Sequence, residues 1–85
     1  MHSDATVIDT DGDGFITYSR ALMEESVECT YTFSTHYKWH DGTYDHNCFS
    51  IKAPNVKEAA RALRLMLMNM RYLLLDANVF GYTYP

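Results

Sequence analysis

Apolar and polar residues alternate from Val27 to Trp39, and a period of two is typical of a half-buried β-strand. Residues 40–42 then form a turn that contains glycine, and residues 44–53 return as a second strand. The apolar face of the first strand carries Val27, Cys29, Tyr31, Phe33, Tyr37 and Trp39. We therefore predict a long β-hairpin over residues 27–53.

The same alternation selects the register of this hairpin. A two-residue turn at Asp41 and Gly42 would place Phe49 opposite Ser34, which exposes the phenylalanine. A three-residue loop with Gly42 in the left-handed conformation places Phe49 opposite Phe33 instead. Because a slip of one residue exchanges the two faces of a strand, burial of apolar side chains favours the three-residue loop.

This register keeps the two cysteines apart. Cys29 and Cys48 fall on opposite faces, and Ala53, the residue opposite Cys29, lies about 16 Å along the strand from Cys48. A disulfide needs Cα atoms within about 7 Å of each other. We therefore predict two free thiols, as expected in a reducing cytosol. His36 faces His46 on the polar side, and two such imidazoles could bind zinc together with a third ligand. The spacing supplies no third ligand, so we interpret both histidines as solvent-exposed residues without a metal.

A long amphipathic helix is predicted over residues 55–77. Asn55 is a suitable N-cap, and Glu58 completes a capping-box pattern. The apolar stripe that should cover the sheet consists of Val56, Ala59, Ala60, Leu63, Leu67, Met70 and Leu74.

A second apolar stripe lies on another face of the predicted helix and consists of Leu65, Met68, Tyr72 and Leu75. A helix that rests on one sheet needs only one apolar face. We therefore predict that these four residues form an interface with a partner protein. Alternatively, the C-terminal segment or a second copy of the chain covers this stripe.

The predicted fold class is α+β: an antiparallel sheet of three to four strands, made of two hairpins, packed against one long C-terminal helix. A single domain spans residues 1–85 and comprises an acidic N-terminal hairpin (1–20), the long hairpin (27–53), the helix (55–77) and a tail or short strand (78–85).

Composition and charge argue against several classes of function. The 85 residues have a formal net charge of −4, and residues 1–28 hold seven of the eleven acidic residues, which disfavours nucleic acid as a partner. The most apolar stretch, 62–75, is too short and too charged to span a bilayer, and no signal peptide is recognisable at the N-terminus. We expect a cytoplasmic protein without membrane attachment.

Phosphate-binding loops, nucleophile elbows and Cys-x-x-Cys pairs are missing from the sequence, so we expect neither enzymatic activity nor a small-molecule substrate.

Residues 9–17 carry the most distinctive motif. Asp9, Asp11 and Asp13 alternate and are followed by Gly14, a pattern that resembles the first half of an EF-hand calcium loop. The resemblance implies that Asp9, Asp11, Asp13, Phe15 and Thr17 are Ca²⁺ ligands. The twelfth position departs from the pattern, because it is Arg20, whose guanidinium has no lone pair to offer. We interpret the segment primarily as the tip of a β-hairpin, with Ca²⁺ binding as the alternative.

In size and in strand–strand–helix order, the chain is similar to small phage-encoded inhibitors, including anti-CRISPR proteins. The resemblance implies a protein that binds and blocks a larger one. Our leading hypothesis is accordingly a small, acidic, non-enzymatic interaction module. A calcium-binding regulatory protein and a structural homodimer are the alternatives.

Overall fold

The computed structural model describes residues 5–24 and 28–83. Their element order is β1 (Thr6–Asp9), β2 (Phe15–Ser19), α1 (Arg20–Glu24), β3 (Cys29–Lys38), β4 (Tyr44–Ala53), α2 (Val56–Asn69) and β5 (Leu73–Thr83). The strands form one sheet in the order β1-β2-β5-β3-β4. The predicted strand start at Val27 and the ends of the predicted terminal segments, 1–4 and 84–85, lie outside the described residues.

The predicted fold class is wrong. The sheet has five strands and is mixed, because β5 runs parallel to β2 and antiparallel to β3. The helix predicted over residues 55–77 ends at Asn69, and the last five residues of that prediction belong to β5. A second, five-residue helix, α1, follows β2.

The end of α2 is a Schellman motif whose left-handed residue is an arginine. Arg71 has a φ of 65°. The Arg71 amide donates to the Met68 carbonyl at 3.0 Å, and the Tyr72 amide donates to the Leu67 carbonyl at 2.9 Å. Glycine is usual at the left-handed position, because it has no Cβ to clash with the backbone. The sequence therefore carries no glycine to mark where the helix stops.

β5 lies in the middle of the sheet and explains why the helix must stop. Ala77 pairs with Ile16 of β2 and with Thr35 of β3. A helix that continued to residue 77 would leave one side of the buried strand β3 without hydrogen-bond partners. Irregularities in the β3–β5 pairing leave Leu75 and Phe80 of β5 without opposite residues.

The predicted register of the long hairpin is confirmed. Cys29 lies opposite Ala53, and the pairing continues without a bulge to Lys38 opposite Tyr44. Gly42 has a φ of 95°, as the three-residue loop requires. The thiols are free: that of Cys29 is buried and that of Cys48 is exposed.

The core lies between α2 and one face of the sheet, which we call the inner face; the opposite face is the open face. Asn55 caps α2 by accepting a hydrogen bond from the Glu58 amide at 2.9 Å, as predicted. The helix buries Val56, Ala59, Ala60, Leu63 and Leu67. Against them the sheet buries Ile16, Tyr18, Cys29, Tyr31, Phe33, Ala53, Leu74 and Ala77. None of the helices in the described residues has the length and apolar character needed to cross a bilayer.

Candidate functional site

The aspartate-rich loop between β1 and β2 binds a guanidinium from α2. Arg64 donates from Nη1 to the Asp13 carbonyl at 2.6 Å and from Nη2 to the Asp9 carbonyl at 2.8 Å. Nη2 also lies 3.3 Å from Asp9 Oδ1, and the two side chains are only 12% and 9% exposed. A Cβ on Gly12 would lie 3.0 Å from Arg64 Nη1. The loop therefore fits closely around a cation that the chain itself supplies.

The loop also packs tightly on β5. Gly14 has a φ of 68°, and a Cβ at this position would lie 2.3 Å from the Leu74 carbonyl oxygen and 2.6 Å from that of Leu75. Only glycine fits there. Burial raises the pKa of the nearby Tyr18 phenol above 10.0, and the negative charges of Asp9 and Asp11 raise it further.

Two of the predicted Ca²⁺ ligands have protein partners for their side chains. Asp9 Oδ1 accepts a hydrogen bond from the Asp11 amide at 3.0 Å as well as facing Arg64. Thr17 lies in β2, and its hydroxyl is 3.4 Å from the Ala77 carbonyl and 3.3 Å from Asn78 Oδ1.

The remaining predicted ligands are exposed. They are Asp11 and Asp13 in the loop and Phe15 at the start of β2. Arg20, at the twelfth position of the pattern, begins α1. Within residues 5–24 and 28–83, no group of three or more His, Cys, Asp or Glu side chains could hold a metal ion. Ca²⁺ binding by this loop stays a prediction.

A groove of about 390 Å³ separates the loop from the C-terminal end of α2, and we call it the α2 groove. Leu65 and Met68 are 52% and 67% exposed at this groove. Its apolar lining is Leu65, Met68, Tyr72 and Leu74, and its charged lining is Asp11, Asp13, Arg61, Arg64 and Arg71. Exposed apolar side chains beside cationic ones can bind a protein segment.

The predicted partner interface is only partly assembled. Leu65, Met68 and Tyr72 line the α2 groove, whereas Leu75 does not. A continuous helical stripe through Leu75 is wrong, because the helix ends at Asn69.

Tyr72 is also occupied within the chain. Its ring stacks on Tyr37, with centroids 4.8 Å apart, and contacts Trp39 at 4.6 Å. Of the four predicted residues, Leu65 and Met68 are therefore the ones that offer a largely exposed apolar surface.

The open face carries a polar cluster on β3, β4 and β5. His36 Nδ1 lies 2.8 Å from Asp76 Oδ1. Its ring stacks on His46, with centroids 4.4 Å apart and planes inclined by 20°. His46 Nε2 in turn lies 2.8 Å from Ser34 Oγ. The predicted pairing of the two histidines is confirmed.

This polar cluster lacks the connectivity of a catalytic triad. In a triad one imidazole contacts the serine through Nε2 and the aspartate through Nδ1, so that a single ring moves the proton. Here Ser34 contacts His46, whereas Asp76 contacts His36. Stacked rings cannot pass a proton to each other through a hydrogen bond. The arrangement therefore does not activate Ser34 in the manner of a hydrolase.

The end of the β3–β4 hairpin contains an aspartate with several donors. Asp45 Oδ1 accepts from the His46 amide at 2.8 Å. Asp45 Oδ2 accepts from the Trp39 indole at 3.2 Å and from the Tyr37 hydroxyl at 3.4 Å. These hydrogen bonds, that of the His46 amide above all, lower the pKa of the Asp45 carboxyl below 3.8.

Comparisons with models of protein families, with curated proteins and with solved structures found no match for this chain. The function of this chain is therefore inferred from the geometry of the molecule itself. In that geometry the α2 groove is where exposed apolar side chains meet charged side chains of both signs.

Arg64 is the site residue whose role the sequence pattern did not reveal. It falls between the two apolar stripes of α2, where an arginine is usually solvated. The available signal was the failed twelfth position of the calcium pattern: a loop with three carboxylates and no closing glutamate needs another partner. Only the packing of α2 against the β1–β2 hairpin identifies that partner as Arg64.

Proposed function

We propose that this protein is a non-enzymatic interaction module that binds a larger protein through the α2 groove. The observation that carries the proposal is the exposure of Leu65 and Met68, 52% and 67%, on a rigid helix beside a groove. The backbone of a helix is already ordered, so docking costs only the rotamer freedom of the side chains, which favours affinity.

The charges around the groove define the partner. Arg61 and Arg71 are exposed on the α2 side of the groove, whereas the guanidinium of Arg64 is bound to the loop. Asp11 and Asp13 are exposed on the loop side. A segment with one or two apolar side chains, whose carboxylates lie along α2 and away from the loop aspartates, complements this surface. We propose an acidic amphipathic segment of the partner as the occupant.

Inhibition is the mode of action that fits such a module. A domain of this size covers one patch on a larger protein, and an occupied patch is closed to the ligands of that protein. The proposal assigns no catalytic step to the module. The split Ser34–His46 and His36–Asp76 contacts on the open face argue against a Ser-His-Asp triad there.

A random peptide library displayed on phage tests the proposal. We expect the immobilised protein to enrich peptides that combine Leu, Ile or Phe with Asp or Glu. Synthetic versions of these peptides should bind Met68→Asp at least about tenfold more weakly, because a carboxylate would enter the groove beside the acids of the peptide. Arg61→Glu should weaken binding in the same direction.

Lys57→Glu is the matched control. Lys57 is an exposed cation on α2 that does not line the α2 groove. Its reversal changes the net charge of the protein as Arg61→Glu does and should leave peptide affinity nearly unchanged. Equal losses of peptide affinity in Lys57→Glu and Arg61→Glu would mean that the loss reflects only the overall charge of the protein. Full binding by Met68→Asp would rule out the groove as the binding site.

A further inference from the structure

We propose that β4 pairs with β4 of a second copy of the chain, so that two five-stranded sheets join into one of ten strands. β4 is an edge strand of ten residues, and none of the described strands pairs with its outer side. It contains no proline, and its pairing with β3 has no bulge. Natural edge strands usually carry such interruptions because a regular open edge recruits another strand.

The hydrogen bonds of the hairpin show which groups β4 offers. The Trp39 amide donates to the Thr43 carbonyl at 2.7 Å, so this pair is hydrogen-bonded across the hairpin. Since bonded and non-bonded pairs alternate in an antiparallel ladder, the odd-numbered residues of β4 bond to β3. The residues whose amides and carbonyls point outward are Tyr44, His46, Cys48, Ser50 and Lys52.

His46 supports this assignment independently. Its amide is bound by the Asp45 carboxylate rather than by β3. An amide that needs a side-chain acceptor within its own strand is one that points away from the neighbouring strand. Asp45 thereby caps one of the outward amides, and none of the described strands pairs with the other four.

The strand is complementary to itself in one register. With a two-fold axis at Cys48, Tyr44 lies opposite Lys52 of the other copy and His46 lies opposite Ser50. All five outward-facing residues then lie opposite an outward-facing residue of the second copy, with the His46 amides staying on Asp45. A shift of the axis by one residue leaves at least one of the five beyond the pairing.

One side-chain contact favours the same antiparallel pairing. Tyr44 and Lys52 stand near opposite ends of β4 on its open face. Antiparallel association therefore brings Tyr44 of one copy beside Lys52 of the other. The Tyr44 ring already attracts a cation, since Lys38 Nζ lies 5.8 Å from its centroid. Lys52 of the second copy would approach the same ring.

This register places the two Cys48 side chains opposite each other at the axis. Cα atoms in a hydrogen-bonded antiparallel pair are about 5.5 Å apart, which is within the range for a disulfide. Mild oxidation should therefore link two copies through Cys48, with the two thiols losing two electrons and two protons to an added oxidant such as diamide. The link reports the register; the association itself does not require it.

Sedimentation equilibrium in reducing buffer is the first test. We expect the protein to be dimeric and Cys48→Lys to raise the dissociation constant at least about tenfold, because like charges would meet at the axis. Asn78→Lys adds the same charge to the open face in β5, two strands from the edge, and should leave the dimer intact. A wild-type protein that stays monomeric at about 0.5 mM would overturn the proposal, as would equal effects of the two lysines.

Oxidation with diamide under native conditions is the second test. Wild-type protein should form a reducible dimer, whereas Cys48→Ser combined with Ser50→Cys should not. In the proposed register the two cysteines of that double variant are about 13 Å apart along the strands. Cross-linking of the double variant but not of the wild type would refute the register. The dimer is independent of the α2 groove, so Met68→Asp should leave it unchanged, and the two proposals can fail separately.

Discussion

Among single residues, Arg64 shows how a cationic side chain can bind a loop that resembles an ion-binding motif. The loop from Asp9 to Asp13 directs two carbonyls and one carboxylate at the guanidinium. Of these oxygens, the Asp9 carboxylate is the one that would face the ion in a calcium loop, where the carbonyl ligand would come from Phe15. Here the planar fork of an arginine binds the two carbonyls and the Asp9 carboxylate, which ties the β1–β2 hairpin to α2.

Replacing Arg64 by Met should destabilise the protein by about 3 kcal/mol, because the Asp9 carboxylate and both carbonyls would lose a largely buried partner. Chemical denaturation measures the loss. Arg61→Met removes an exposed arginine one turn earlier and should change the free energy of unfolding by less than about 0.5 kcal/mol. Similar losses for the two variants would mean that Arg64 contributes only its aliphatic stem.

The wild-type loop should not bind Ca²⁺ tightly. Arg64 places a cation against Asp9, and Arg20 supplies no oxygen at the twelfth position. We expect no change in melting temperature and no heat of binding on titration with Ca²⁺ to about 1 mM. Micromolar binding would revive the calcium-regulated alternative and would require Arg64 to leave the loop.

Acidification should loosen the end of the long hairpin. The pKa of Asp45 is lowered in the folded protein, so its stabilising contribution is present above the unfolded value near 3.8 and is lost as the pH falls through the folded value. The Trp39 indole proton donates to Asp45 and should therefore shift in NMR spectra with a midpoint below 3.8. Asp45→Asn should abolish this titration, and a midpoint at or above 3.8 would show that the hydrogen bonds do not persist in solution.

At the scale of elements, the sequence predicted the features that depend on a few neighbouring residues. The alternation of β3, the glycine of the 40–42 loop and the Asn55 cap each act over a few residues, and the structure contains all three. The end of α2 was missed because the left-handed position holds Arg71 instead of glycine. β5 begins two residues later with three leucines, a run that fits a helix as well as a buried strand.

Arg71→Gly should stabilise the protein by about 0.5 kcal/mol. Glycine adopts the left-handed conformation without the Cβ clash, and this gain exceeds the added entropy of the unfolded chain by a small margin. Arg71→Ala is the control, since it removes the same charged side chain but keeps the Cβ. We expect the melting temperature to rise for glycine only. If both variants behaved alike, the effect would belong to the side chain and not to the backbone.

At the scale of the whole molecule, the sequence could not show how the two halves join. Each hairpin is recognisable in its own segment, but β5 inserts between them and pairs in parallel with β2, some sixty residues earlier in the chain. Pairing over that distance leaves no local pattern. The predicted helix covered the first five residues of β5, and the other described residues of the strand fell in the predicted tail or short strand. The contact of Arg64 with the loop depends on the same insertion, because it requires the β1–β2 hairpin to lie beside α2.

Because β5 connects the hairpins, one interruption at its centre should unfold the whole protein. Ala77 is 1% exposed and pairs on both sides, so Ala77→Pro removes a ladder hydrogen bond and inserts a ring into the core, at a cost above about 3 kcal/mol. Against a total stability of about 5–15 kcal/mol, we expect a loss of cooperative thermal unfolding or a greatly lowered midpoint in circular dichroism. Thr83→Pro, at the exposed end of the same strand, should change the midpoint little. If Ala77→Pro instead produced two separate transitions, with the β3–β4 hairpin and α2 surviving as a unit, the halves would be independently stable and β5 would join them without being required for either.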